Sequence, residues 1–333
     1  MRILIYHPVR LPVQYYGGTE RVMFWLAKGL KKLGHQVGFV AAPGSQAPDG
    51  ITCLTDPMDV IRYAKEWDIL HGFTRPSADM VDAYQGRSLT TIHGNGQVGE
   101  KFDRNTVFLS KNHAIRHGAT CYVYNGLDPD ELTFSSSPRR NRFLFLSKTN
   151  WKVKNLRKAV SLCSTHQQNL WIAGGNGPVD LRFRVGTKSL FSDWNWAGSI
   201  DQAAKAKFLT EGRALLFPII WNEPFGLVMM ESLLSGTPVL AHPHGSVPEL
   251  LEFAPECWMR SDEDWKNALT GNLRFPAASI CRDWAAAKFN LTEMARSYVT
   301  LYERVLRGEL LNSSVPETKI AATDIRQSLQ NIR

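Results

Sequence analysis

The stretch that most constrains the fold of this chain is Trp221–Glu249, WNEPFGLVMMESLLSGTPVLAHPHGSVPE. The apolar run Ala214–Ile220 before it suits a buried strand. Gly226–Ser235 reads as a short helix, stopped by Gly236 with Pro238 just beyond. Pro238–His242 reads as the next strand. Strand, loop, helix, turn and strand in this order predict parallel pairing. A helix starting at Gly226 presents the amides of Phe225, Gly226 and Leu227 at its positive end, a favourable place for an anion.

Glu231 is the one charge inside that helix, and its neighbours three and four positions away are Leu227, Val228, Leu234 and Ser235. A carboxylate held on an apolar face needs a partner. Ligand hydroxyls would serve, and so would a structural Arg or Lys. Glu223 lies eight residues upstream, in the loop before the helix. Two carboxylates bracketing a helix N-terminus suit a ligand that carries both phosphates and hydroxyls.

Glu223-Pro224-Phe225-Gly226-Leu227-Val228 with Glu231, followed by Gly236-Thr237-Pro238-Val239, resembles the donor-site motif of retaining glycosyltransferases of family four. The resemblance implies an α/β protein of the GT-B fold: two Rossmann-like domains whose parallel sheets face a central cleft. It further implies a nucleotide-diphosphate sugar donor, UDP- or GDP-linked with UDP favoured, and a hydroxyl acceptor on a glycan, glycolipid or small molecule. No cofactor and no metal are implied. Asp128-Pro129-Asp130 and Asp262-Glu263-Asp264 spell D-x-D but sit in turn or cap contexts.

Segments that read as strand and helix alternate through all 333 residues. The length suits two domains. The expected division is 1–136 for the acceptor side, 137–290 for the donor side, a terminal helix 291–310 packing back on the first domain, and a polar tail 311–333. Arg2–Tyr6 is the first strand, Thr19–Leu33 the first helix and Gln36–Ala41 the second strand. Gly17 and Gly18 therefore lie between strand and helix, as a tight turn or, by the resemblance, over the donor diphosphate. Val60–Trp67 and Ala78–Tyr84 read as helices; Ser88–Ile92, Val107–Ser110 and Cys121–Tyr124 read as strands. His93 follows a strand, where open α/β sheets bind ligands, and the resemblance places it near the donor sugar. His71 is its competitor.

In the second half, Arg142–Ser147 reads as a strand. The family's Gly-Arg and Lys-Gly positions are filled by Ser147-Lys148 and, one residue late, Lys154-Asn155. Lys148 and Lys154 are thus implied as phosphate ligands, with Lys152 a rival for Lys154, and a solvated basic loop as the plain alternative. Lysine lacks the bidentate fork of arginine. Gly175 belongs to the turn Gly174–Pro178 that would close the donor pocket, and Trp196-Ala197 to the backbone that would read the base. The implied catalytic set is Glu223, His93, Lys148 and Lys154. The implied donor set is Gly17, Gly18, Lys148, Lys154, Gly175, Trp196, Ala197, Glu223, Pro224, Phe225, Gly226, Leu227 and Glu231.

Composition narrows the rest. A formal charge of +8 favours acidic partners, but no nucleic-acid motif is present. Five scattered cysteines fit a reducing compartment, and no apolar run nears the roughly 18 residues of a membrane span. The start of the chain lacks a signal-peptide layout. A cytoplasmic protein is expected, peripheral to the membrane at most. Lys28, Lys31 and Lys32 on the first helix read as a solvated face, with weak membrane contact as the sharper alternative. A dehydrogenase would need G-x-G-x-x-G after the first strand, which is missing. A GT-B epimerase or a non-catalytic sugar-nucleotide binding protein are the remaining alternatives.

Overall fold

A computed structural model of the chain describes residues 1–12, 17–136, 141–175 and 194–325. It divides into two units: Met1–Asp128 with Phe289–Ala321, and Pro129–Lys288 with Ala322–Arg333.

Among the described residues, the first unit carries β1 (Arg2–Tyr6), β2 (Gln36–Val40), β3 (Thr52–Leu54), β4 (Ile69–Gly72), β5 (Ser88–Thr91) and β6 (Thr106–Val107). They form one sheet in the order β3-β2-β1-β4-β5-β6. Every pair in it is parallel, with Ile3 beside Val37 and Ile69. The central strand is apolar at every position from Ile3 to Tyr6, as a strand covered on both faces must be. The helix Gly18–Lys32 packs on the helix Leu291–Leu306 at Gly29, where an added Cβ would lie 2.5 Å from the Leu291 carbonyl oxygen. Asn290 caps the latter helix by accepting from the amides of Thr292 and Glu293.

Three expectations shift. The helix Val60–Trp67 shortens to Asp59–Arg62. Cys121–Tyr124 makes a single bridge, Phe108 with Tyr122, rather than a strand. Among the described residues, the polar segment after Leu310 is tied down at Asn312 and Thr318. The Asn312 side chain accepts from the amides of Thr120 and Cys121 and donates to the carbonyls of Arg104 and Thr106, taking the place of a further strand beside β6. Thr318 exchanges backbone hydrogen bonds with Gly99 and Glu100.

The second unit carries β7 (Phe143–Leu146), β8 (Leu170–Ala173), β9 (Trp194–Trp196), β10 (Ala214–Phe217) and β11 (Val239–Ala241), in the order β11-β10-β7-β8-β9. This sheet too is parallel throughout. One face is covered by a core that includes Phe143, Phe145, Leu156, Val160, Leu216 and Trp265. The connections after β7, β8, β10 and β11 emerge at the C-terminal edge of the sheet, where loops carry chemistry on such folds.

Candidate donor site

The site is built on the loops after β7 and β10. After β7, Lys152–Lys154 form one 3-10 turn, and Asn155 takes a left-handed conformation (φ 58°) to start the helix Leu156–Thr165. Two hydrogen bonds fasten this turn to the β10 loop: Ile220 N–H to the Val153 carbonyl (2.9 Å) and Asn155 Nδ2 to the Pro218 carbonyl (3.0 Å). Lys154 is thereby brought to Glu223, with Nζ 2.5 Å from Oε2. Trp221 Nε1 donates to the same oxygen at 2.9 Å. Both side chains are nearly buried, and the ammonium also lies 4.9 Å from the Trp221 ring and 5.2 Å from the Phe217 ring. Lys152 is exposed, and Lys154 is the one of the two lysines that lies beside Glu223. Lys148 sits one strand-end back, its ammonium 5.1 Å from the Trp151 ring.

Glu223 is held from the other side by β11. It bridges Gly245, and its carbonyl accepts from Ser246 N–H at 2.9 Å; the Ser246 hydroxyl donates to the Phe225 carbonyl. Gly245 has φ 66°, and a Cβ there would lie 2.2 Å from the Glu223 nitrogen, so no other residue fits without moving the loop. Gly226 is likewise left-handed (φ 85°) and serves as N-cap of the helix Leu227–Leu234. Pro224 and Phe225 are buried between these two glycines. The amides of Gly226 and Leu227 donate to no acceptor outside this helix among the described residues.

Glu231 is buried on that helix and forms an ion pair with Lys205, also buried, from the helix Gln202–Thr210. A protein partner thus meets the need of the buried carboxylate. Sequence reasoning misses Lys205: it lies beside Ala206, Phe208 and Leu209, but the exposed Lys207 on the same helix makes it read as one of two surface lysines. Asn222 is missed as well, because an amide in a loop carries no periodic signal.

At β8, Gly174 and Gly175 press on the end of β7. Cβ atoms there would lie 2.1 Å from the Ser147 carbonyl oxygen and 2.0 Å from Thr149 Oγ1. The remainder of that expected turn, Asn176–Pro178, lies outside the described residues. Trp196 Nε1 donates to the Gly174 carbonyl, and the Ala197 amide is committed to the Ile172 carbonyl. The Ala197 N–H is therefore part of the sheet rather than a donor to a base.

In the first unit, His93 follows β5 and stacks on Phe73 with ring centroids 5.0 Å apart. Burial, helped by His7, pushes its pKa down to about 3, so the ring is neutral at pH 7. His71 is a satisfied core histidine: Nδ1 meets the Tyr302 hydroxyl and Nε2 the Thr91 hydroxyl, both at 2.8 Å. Gly17 has extended backbone and Gly18 opens the helix Gly18–Lys32, while Tyr15 and Tyr16 lie outside the described residues. Lys28 pairs with Asp128 and Lys31 donates to the Asp49 carbonyl, so two of the three lysines of the helix face have protein partners. Asp264 caps its helix through the amides of Arg260 and Ser261. Neither D-x-D stretch gathers a metal-binding group, and no cluster of three metal-ligating side chains occurs among the described residues.

Residues 134–255 match the family model for glycosyl transferases group 1. An uncharacterized 41.2 kDa protein in the cps region of Klebsiella pneumoniae is 30% identical over 112 residues, 32% of this chain and 31% of that one. The match thus spans about a third of that relative's length. Among solved structures, AviGT4, a glycosyltransferase involved in avilamycin A biosynthesis, superposes with a TM-score of 0.75 at 20% identity, covering 92% of this chain and 98% of that one. Alr3699/HepE of Anabaena, in complex with UDP and glucose, gives 0.67 at 14% identity, over 91% and 99%. With its two parallel sheets this chain shares the GT-B fold of these proteins, and its residues 134–255 form a glycosyl transferases group 1 domain.

Proposed function

We propose that the protein is a retaining glycosyltransferase that moves a hexosyl group from a nucleotide-diphosphate sugar to a hydroxyl of a glycan, glycolipid or small molecule. The observation that carries this reading is the Lys154–Glu223 ion pair in front of the Gly226 helix end. It puts a cation, a carboxylate and unpaired amides within one loop-and-helix unit.

Each group has a task there. Lys154, Lys148 and the Gly226–Leu227 amides stabilise the charge that builds on the β-phosphate oxygen as its bond to the anomeric carbon breaks. The acceptor oxygen bonds that carbon on the same face, and its proton passes to the departing phosphate. Positive charge comes from lysines and amides, so the reaction is metal-independent. Glu223 holds donor-sugar hydroxyls, giving up Lys154 to the phosphate. Glu231, oriented by its ion pair with Lys205, holds the ribose hydroxyls. Trp196 and Gly175 line the nucleotide end. Gly17, Gly18 and His93 belong to the first unit, where His93 is a neutral ring.

UDP is the favoured base because the Anabaena protein was solved with UDP and glucose. All five cysteines are free thiols, in keeping with a reducing, cytoplasmic setting. No helix among the described residues is long and apolar enough to cross a membrane. The test is a metal-free thermal-shift panel of nucleotide diphosphates and their sugars. A ligand at a hundred times its Kd adds about 2.7 kcal/mol to stability. A shift with one base, larger for one sugar, is expected. A folded protein that shifts with none of them overturns the reading.

A further inference from the structure

The residue before Glu223 is tied to a segment a hundred positions further along. Asn222 is 2% exposed. Its backbone N–H donates to the Ala322 carbonyl at 2.7 Å, and its side-chain Nδ2 donates to the Ala322 carbonyl at 3.3 Å and to the Asp324 carbonyl at 2.8 Å. These bonds lie within the second unit, although the chain just before them belongs to the first. There, Arg116 donates to the carbonyls of Ile320 and Ala321.

Glu223 therefore stands in a loop clamped on three sides. Lys154 and Trp221 hold its carboxylate, Gly245 and Ser246 hold its backbone, and the segment Ala322–Asp324 holds the residue before it. The first two clamps come from the loops after β7, β10 and β11. The third is made of backbone carbonyls, which accept hydrogen bonds and offer no side-chain chemistry of their own. Its effect is to fix where the loop sits.

We propose that Ala322–Asp324 is a positioning strap for Glu223 and, through it, a determinant of donor-sugar affinity. This rests on the reading that Glu223 holds sugar hydroxyls while the nucleotide is held elsewhere, on Glu231 and the phosphate lysines. Loss of the strap then weakens a nucleotide sugar more than the bare nucleotide.

Two variants test it: Asn222→Ala in the full chain, and a chain ending at Ala321. In the ligand-free proteins, hydrogen exchange of the peptide covering 219–225 is expected to quicken, by about tenfold where a buried hydrogen bond is lost. In titrations, UDP-glucose affinity is expected to fall about tenfold while UDP stays within about twofold, because one or two hydrogen bonds near Glu223 are at stake. A merely structural strap would weaken both ligands together. Equal losses for the two ligands, or exchange unchanged in both variants, overturns the proposal. If the unmodified chain binds neither ligand, the donor-site reading fails instead, and the exchange measurement still decides whether the strap holds the loop.

Discussion

Two buried polar clusters, one in each unit, are built under opposite rules. In the first unit these groups are neutral and paired with one another. His71, Thr91, Tyr298 and Tyr302 form a closed buried chain of hydrogen bonds. His113 accepts from the Leu109 amide and faces the Gly94 carbonyl, which fixes it as a neutral ring. In the second unit the groups are charged: Lys154 with Glu223, and Lys205 with Glu231. A neutral network can satisfy itself at little cost. A buried ion pair recovers its desolvation poorly, so its presence asks for a reason beyond stability. Exchange with a charged, hydroxyl-bearing ligand is such a reason.

The sharpest way to break this contrast is Lys205→Met. It strands a buried carboxylate, and denaturant unfolding should show the second unit destabilised by about 3–5 kcal/mol. A Lys205→Met/Glu231→Leu double variant should recover most of that stability yet lose nucleotide binding. Recovery of both would remove Glu231 from the site.

Lys154→Ala comes next. Transfer should fall about a hundred- to a thousandfold, or about 3–4 kcal/mol in barrier height, and the thermal midpoint should drop as the buried Glu223 carboxylate loses its cation. Full transfer activity in a folded variant would dismiss Lys154 as the phosphate cation.

In the first unit, Tyr302→Phe removes the partner of His71 Nδ1. An unmet buried nitrogen costs about 1–3 kcal/mol, measurable by denaturation, with no change in nucleotide affinity. A loss of affinity would show that the neutral network serves the ligand too.

Acidification gives the gentlest test. His71, His93 and His113 have folded pKa values below that of the unfolded chain, because burial disfavours the charged ring. Their stabilising effect is complete above the unfolded value near 6.5. It is lost as pH falls from there toward the folded values, since the unfolded state then binds more protons. Each such histidine costs up to about 1.4 kcal/mol per pH unit. His242 and His244 act in the same direction in the second unit. Hydrogen exchange resolved along the chain between pH 7 and pH 5 should show the steeper loss in the first.

Much of this molecule is legible in the chain itself. Strands β1 and β10 are apolar runs, and the helix Leu291–Leu306 has its cap at Asn290 and its stripe of Met294, Tyr298, Leu301 and Tyr302. Gly226 and Gly236 both have positive φ, where glycine is favoured. Local backbone preference and side-chain periodicity act over a few residues, so they can be read from a few residues. The positions of Glu223 and Glu231 in one motif belong to the same class of information.

Partnership is of another kind. That Glu231 meets Lys205, that Lys154 rather than Lys152 reaches Glu223, and that Asn222 is held by Ala322 and Asp324 all depend on segments 26 to 102 residues apart. The choice of His71 for the core likewise rests on Tyr302, 231 positions away. Asn312 looked like part of a polar tail until the amides of Thr120 and Cys121 supplied its partners. A charge or amide states in sequence only that it needs a partner. Which partner it finds is decided by burial, and burial exists only once the sheets have assembled and closed over it.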